Sequence, residues 1–113
     1  TTVTVNKNFR TAVHQDAGDF REGFGNLIVY REGEWGGGYF VLPEYGVAID
    51  LHNTDVLFAD VHKWHGNTEF TNTEPDWLRI SFVLYYREYM YQCKSPKEEL
   101  AQVKQDKTGF LTL

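Results

Sequence analysis

Leu78-Arg79-Ile80-Ser81-Phe82-Val83-Leu84-Tyr85-Tyr86-Arg87 is the stretch that decides the fold. Rich in β-branched and aromatic residues and free of Gly and Pro, it reads as a strand. Side chains alternate across a strand with period two, so Arg79, Ser81, Val83, Tyr85 and Arg87 share one face while Ile80, Phe82, Leu84 and Tyr86 share the other. One face is furnished for chemistry and the other for packing. An apolar back of this kind needs a covering layer, which implies a helical or partner surface behind the sheet.

The flanking sequence continues the pattern. Short runs of β-branched and aromatic residues alternate with Gly23-Phe24-Gly25, Gly36-Gly37-Gly38, Pro43-Glu44-Tyr45-Gly46, His52-Asn53-Thr54 and Glu74-Pro75-Asp76. This punctuation predicts strands at 2–5, 11–14, 26–31, 38–42, 46–51, 55–60, 65–70 and 78–87, the count and spacing of a sandwich or barrel. A helix is expected only at 96–107. There Ser95 is placed as N-cap, Pro96 at the first helical position, Glu98 at the capping-box position and Gly109 at the stop. One C-terminal helix is thin cover for the sheet, so the expectation is a single domain over 1–113 that lacks an N-terminal helical segment or uses a partner surface.

Composition narrows the class. The chain has 113 residues, 42% hydrophobic, with 8 Phe, 7 Tyr and 3 Trp against 10 Gly and 3 Pro, which excludes disorder for most of its length and leaves room for one domain. Its net charge of −5 argues against a protein that coats duplex DNA electrostatically and leaves phosphate contacts to local cations such as Lys7, Arg10, Arg21, Arg31 or Lys63. The single cysteine, Cys93, excludes an intrachain disulfide and a Cys-based zinc site, so the chain reads as intracellular, cytoplasmic or nuclear, and any metal must use His and carboxylates. No apolar run approaches the ~18 residues of a membrane helix, and no signal peptide is visible. The first residue is Thr1, which fits a processed or excised piece of something longer.

Three of the four histidines sit two residues from an aspartate, in His14-Gln15-Asp16, Asp50-Leu51-His52 and Asp60-Val61-His62. Each pair can present an imidazole and a carboxylate on one side of a strand, although an Asp that merely orients a His is the commoner use. Asp50 and His52 run into an ordinary turn. His14 and Asp16 instead end a strand and enter Ala17-Gly18-Asp19, where side chains can converge on an open site. A third ligand completes a two-His, one-carboxylate face suited to Fe(II), with positions left for substrate and oxygen. His65 is the best candidate, after the buried-looking run Val56-Leu57-Phe58; His62 is its rival. Fourteen residues past His65 stands Arg79, with Ser81 on the same face. A buried Arg is costly unless it meets an anion, and its planar fork suits a carboxylate; the alternative is a structural ion pair. An apolar wall is expected from Phe58, Val83 and Trp64. Trp35 and Tyr39 beside the triple Gly form either a mobile lip or a rigid turn.

Together, His14-x-Asp16, His65 and Arg79-x-Ser81 resemble the Fe(II)/2-oxoglutarate-dependent dioxygenases, over roughly residues 2–91. His14-Gln15-Asp16 with Asp19, Gly25-Asn26 before a hydrophobic strand, and the run from Arg79 to Tyr86 resemble the TET/JBP branch of nucleic-acid base oxygenases. His65-Gly66-Asn67-Thr68 is similar to viral, phage and fungal members of that group. The resemblance implies a double-stranded β-helix (jelly-roll, cupin-like) core, with Fe(II) held by His14, Asp16 and His65. It also implies 2-oxoglutarate held by Arg79 and Ser81, molecular oxygen as co-reactant and ascorbate assisting. The substrate it implies is a DNA base, thymine or 5-methylcytosine, hydroxylated at its 5-methyl group and contacted by Asp19, Tyr85 and Arg87. Asp19 replaces the Asn of the TET branch and Arg87 its His, two changes in base recognition. A base in duplex must leave the stack to reach the metal. Two other readings stay open: a hydroxylase of a protein side chain or small metabolite, and a non-catalytic cupin-like binding module.

Overall fold

The computed structural model describes residues 1–111. Its strands are β1 (Thr2–Lys7), β2 (Gly25–Glu32), β3 (Gly36–Gly37), β4 (Phe40–Leu42), β5 (Val47–Ile49), β6 (Val56–Ala59), β7 (Gly66–Asn67), β8 (Phe70–Thr71) and β9 (Leu78–Tyr85), followed by one helix, α1 (Pro96–Leu111). The architecture is mostly β with a C-terminal helix, as expected. The main sheet has the order β1-β9-β2-β6, and a three-stranded sheet β5-β4-β7 and a two-stranded ribbon β3-β8 complete it. All the pairings are antiparallel.

β9 lies at the centre of the main sheet because its two neighbours, β1 and β2, satisfy both of its edges. Its register sets Ser81 opposite Asn6 on one side and Val29 on the other, and Arg79 opposite Arg31. Asn8 pins the start of the strand. Its backbone N–H donates to the Arg79 carbonyl (2.8 Å), and its side-chain oxygen accepts from the Arg79 N–H (2.7 Å). The small core of Leu27, Val29, Phe40, Leu51 and Ala59 joins the inner face of the main sheet to β4.

The alternation predicted for β9 holds, but burial is reversed. Arg79 and Ser81 are each 4% exposed, whereas Ile80, Phe82 and Leu84 are only partly covered. The chemically furnished face is the one turned inward. The back face continues through Val3 and Val5 of β1 and Val56 and Phe58 of β6, all exposed. α1 does not cover it, since each of its residues from Pro96 to Lys107 is exposed.

Several expected elements change at their edges. Residues 11–14 form no strand; only His14 pairs there, with His65. The expected strand at 65–70 splits into β7 and β8, and Gly36–Gly37 forms a separate ribbon with Phe70–Thr71. The ribbon depends on Gly37, at φ 70°, where a Cβ would stand 1.9 Å from the Glu69 carbonyl oxygen. Gly109 does not stop α1, which runs on to Leu111; a helical glycine costs only about 1 kcal/mol relative to alanine unless the next turn demands a left-handed residue. The predicted capping box does form. Ser95 N–H and Oγ–H donate to Glu98 Oε2 (3.0 and 2.6 Å), and the Glu98 N–H donates back to Ser95 Oγ (3.4 Å).

Candidate active site

His14, Asp16 and His65 come from two irregular segments that run antiparallel and are pinned by their backbones. The N–H of His14 donates to the His65 carbonyl (2.9 Å) and the N–H of His65 to that of His14 (3.0 Å). Asn67 N–H to Thr11 O (2.9 Å) and Asp16 N–H to Val61 O (3.0 Å) extend the pairing on either side. Sequence-distant ligands therefore meet through main-chain bonds rather than side-chain chance.

Gly66 permits the approach. A Cβ there would stand 2.9 Å from the Val13 nitrogen and 3.0 Å from its Cα, atoms of backbone that cannot step aside. Gly66→Ala is expected to lower stability by about 1–3 kcal/mol through overpacking and to weaken metal binding by roughly tenfold or more as the two segments part. Thermal unfolding and metal titration of the same variant check this; unchanged affinity would show that the segments need not be so close.

The ligand atoms of the three residues all lie within 4.8 Å of one another. His14 Nε2 is 2.9 Å from Asp16 Oδ1, and His65 Nε2 is 3.7 Å from Asp16 Oδ2. Each imidazole donates its Nδ1–H to the carbonyl two residues before it, Ala12 (2.7 Å) for His14 and Lys63 (2.8 Å) for His65. Those bonds orient the rings and turn both Nε2 atoms toward the carboxylate, an arrangement that suits a cation among them. Two ligands at right angles, about 2.1 Å from one cation, stand ~3 Å apart, so the His14–Asp16 pair already has metal spacing. His65 is 6% exposed and lies nearly parallel to Phe40, 5.7 Å between ring centres, which locks its ring plane. By donor chemistry and geometry this trio fits a two-His, one-carboxylate metal site.

The trio opens on a cavity of about 360 Å³ that also receives Arg79, Ser81, Asp19, Tyr85 and Arg87. Among the described residues no carboxylate forms a salt bridge with Arg79. The nearest ring is Phe70, 5.6 Å from the guanidinium carbon, and burial together with the charge of Arg31 lowers the Arg79 pKa. The structural ion pair weighed for this arginine does not form, and a buried cation facing a cavity suits an incoming anion.

Asp19, also on the cavity lining, is 8% exposed and its Oδ2 has no hydrogen-bond partner among the described residues. Burial and the negative charge of Asp16 raise its pKa, while His62, Arg87 and His65 oppose that rise. Its segment lies along the chain that leaves β9: Phe20 N–H donates to Tyr86 O (2.7 Å), Glu88 N–H donates to Gly18 O (2.9 Å), and Asp19 bridges to Arg87. The Tyr85 hydroxyl is 3.3 Å from Thr4 Oγ1. Every expected site residue thus borders one cavity.

The structure also corrects parts of the expected site. Phe58 (65% exposed) and Trp64 (45% exposed) do not line the cavity; its apolar wall is Leu27, Phe40, Ala59, Val61 and Val83. On β6 it is Leu57 and Ala59 that point inward, so Val56-Leu57-Phe58 is not a buried run. His62 lies outside the ligand trio, with both ring nitrogens engaged by Asp60 and the Asp19 carbonyl. Arg31 is spent inside the fold: it bonds to Asp50 (2.9 Å) and the Leu51 carbonyl (2.9 Å) and lies 4.1 Å above the Trp35 ring. Arg10 pairs with Glu69 (3.2 Å). Arg31 is therefore no free phosphate contact, whereas the Arg10–Glu69 pair is solvent-exposed and weak. Trp35 beside the triple Gly packs edge-on against Phe70 and Trp77. Thr4 and Asn6 of β1 border the cavity and were not anticipated, although the polar–apolar alternation of Val3-Thr4-Val5-Asn6 carries the signal.

No helix among the described residues is long and apolar enough to cross a membrane. Residues 1–88, which hold every residue of the site, match the Tet_JBP family, described as the oxygenase domain of the 2OGFeDO superfamily. The chain is 44% identical over 110 residues to "Thymine dioxygenase JBP1" of Trypanosoma brucei brucei, a match that covers 87% of this chain and 13% of that protein. It is 52% identical over 86 residues to "Bifunctional helicase and thymine dioxygenase JBP2" of Trypanosoma brucei brucei (strain 927/4 GUTat10.1), covering 76% of this chain and 8% of that protein. To the JBP2 of Leishmania tarentolae it is 49% identical over 86 residues, with the same coverage. The chain spans 13% or less of these relatives' own length. With a His-Asp-His trio and an arginine without a salt bridge among the described residues converging on one cavity, and with more than three quarters of its length matched, this chain belongs to the Tet_JBP family of 2-oxoglutarate and Fe(II) oxygenase domains.

Proposed function

We propose that this domain hydroxylates the 5-methyl group of thymine in DNA, with Fe(II) held by His14, Asp16 and His65 and 2-oxoglutarate anchored by Arg79 and Ser81. The observation that carries the reading is the pairing, in one cavity, of a convergent His-Asp-His trio with a buried arginine that has no carboxylate partner among the described residues. The relatives' thymine dioxygenase names favour thymine over 5-methylcytosine. The mostly β architecture with Arg79 and Ser81 facing inward supports a double-stranded β-helix core and a single oxygenase domain over 1–113.

When bound, Fe(II) and 2-oxoglutarate supply the oxidising chemistry, in which one O2 converts the oxo acid to succinate and CO2 and the methyl group to hydroxymethyl. The protein's share is orientation and the exclusion of water. Arg79 offers its planar fork, and Ser81 a hydroxyl, to the distal carboxylate of 2-oxoglutarate. Asp19 presents its unpartnered Oδ2 as an acceptor for thymine N3–H, a donor that an Asn oxygen would also satisfy but without charge assistance. Tyr85, steadied at its hydroxyl by Thr4, gives the base a ring to lie against, and Arg87 supplies a cation beside Asp19. Leu27, Phe40, Val61 and Val83 keep the wall dry.

The test is nucleoside mass spectrometry of thymine-bearing DNA, single- and double-stranded, incubated with the protein, Fe(II), 2-oxoglutarate, ascorbate and air. 5-Hydroxymethyluracil is the expected product. Unchanged thymine overturns the substrate, and oxidation of 5-methylcytosine alone transfers it to the other base. Asp19→Ala is expected to lower kcat/KM on thymine-bearing DNA by about tenfold to a hundredfold, the loss of one charge-assisted hydrogen bond. 2-Oxoglutarate binding should be unaltered in that variant; an equal loss on both would place Asp19 in the co-substrate site instead.

A further inference from the structure

We propose that His62 is a positioning residue: its imidazole, donating from both ring nitrogens, clasps the loop that carries Asp19 and so sets where that carboxylate meets the substrate. The inference rests on the reading of Asp19 as the base-contacting group. His62 Nδ1 is 3.0 Å from Asp60 Oδ1, and Nε2 is 3.1 Å from the backbone carbonyl oxygen of Asp19. Both partners are acceptors. The two bonds are made together when the ring carries a hydrogen on each nitrogen, and in that protonated form both are charge-assisted. The direction of its pKa agrees: the bond to the Asp19 carbonyl raises it first, burial opposes, and Asp60 raises it further.

Why a clasp matters here follows from the state of Asp19. Its Oδ2 is buried without a hydrogen-bond partner among the described residues, so the aim of that oxygen is inherited from the backbone that bears it. On one flank that backbone is paired with Tyr86 and Glu88. His62 separately ties it to the turn between β6 and β7. The turn is tied back in its own right, since Gln15 Nε2 donates to the His62 carbonyl (3.1 Å) and the His62 N–H donates to Asp60 Oδ1 (3.2 Å). Asp60, which reads in the sequence as half of a metal pair, thus serves to orient the clasp. Burial raises its own pKa, but the hydrogen bonds from His62 outweigh that and hold it below the usual carboxylate value.

A double-mutant cycle in the intact protein tests the proposal. His62→Ala is expected to raise KM for a thymine-bearing oligonucleotide by about tenfold, with kcat and the 2-oxoglutarate Kd changed by less than about twofold. In an Asp19→Ala background the same change should add less than about twofold, because the group it positions is already gone. Equal losses in both backgrounds, or a matching loss of 2-oxoglutarate affinity, would overturn the clasp in favour of general loosening. Amide hydrogen exchange at Gly18, Asp19 and Phe20 gives a readout independent of substrate. It should quicken by about tenfold in His62→Ala, and unchanged exchange would overturn the clasp even if thymine proved not to be oxidised. His62→Gln, which retains a side-chain donor, should fall between parent and alanine in both measurements and serves where the alanine variant does not fold.

Discussion

Arg79→Ala is expected to weaken 2-oxoglutarate binding by on the order of 10²–10³-fold, through loss of two charge-assisted hydrogen bonds to one carboxylate, while the protein without co-substrate stays as stable or becomes more so. The two halves of this result come from one fact. A guanidinium that is 4% exposed, beside the cation Arg31 and without a salt bridge to any described residue, has lost water and found no anion. Such a charge destabilises the fold that holds it, and removing it relieves that cost. Its value is realised only when a dicarboxylate arrives. Anaerobic titration with Fe(II) and 2-oxoglutarate reads the first half through the weak visible band of the chelate. Thermal unfolding with and without 2-oxoglutarate reads the second: the parent should gain stability from the ligand and the variant should not. Arg79→Lys keeps the charge but not the fork and should lie between, about tenfold weaker than the parent. A variant that binds 2-oxoglutarate like the parent would remove Arg79 from the anchor.

How far the sequence leads depends on whether the deciding contact is local. The alternation of β9 is local, and it correctly groups Arg79, Ser81, Val83 and Tyr85 on one face. The capping box at Ser95 and Glu98 is local too, and it forms as read. The same period-two rule applied to β6 turns Val56 and Phe58 away from the core, yet an unbroken apolar run hides that alternation and suggests a buried strand. The choice between His62 and His65 is of another kind. They stand three residues apart across a turn, and what separates them is the backbone pairing of His65 with His14, a contact made across fifty residues of chain. Residues 11–14 show the same limit: their β-like composition is real, but Gly66 brings another backbone against them and only His14 finds a ladder partner. Arg31 reads as a surface cation until Asp50, the Leu51 carbonyl and Trp35 are brought to it by the fold.

Asp16→Ala is expected to weaken divalent metal binding by at least about a hundredfold, beyond the range lost when only an outer partner of a ligand is removed, and to abolish metal-dependent oxidation. Asp16 is the only carboxylate of the trio, and its two oxygens face different imidazoles, Oδ1 toward His14 at 2.9 Å and Oδ2 toward His65 at 3.7 Å. Without it, two imidazole nitrogens remain, on rings whose centres are 4.4 Å apart, with no carboxylate of the trio to offset the ion's charge. The fold should tolerate the change. Asp16 is partly exposed, its N–H bond to Val61 is made by the backbone, and the substitution removes no buried apolar volume; the stability change should stay within about 1 kcal/mol. Asp16→Asn separates charge from shape: it keeps the side chain's outline but presents a neutral amide, and it should bind metal nearly as poorly as alanine. Calorimetry with Mn(II), which resists oxidation and prefers oxygen and nitrogen ligands of this kind, measures all three proteins, with circular dichroism to verify that each is folded. If the alanine variant holds Mn(II) within about threefold of the parent, the ion is held elsewhere, and the convergence of His14, Asp16 and His65 is a hydrogen-bonded cluster rather than a metal centre.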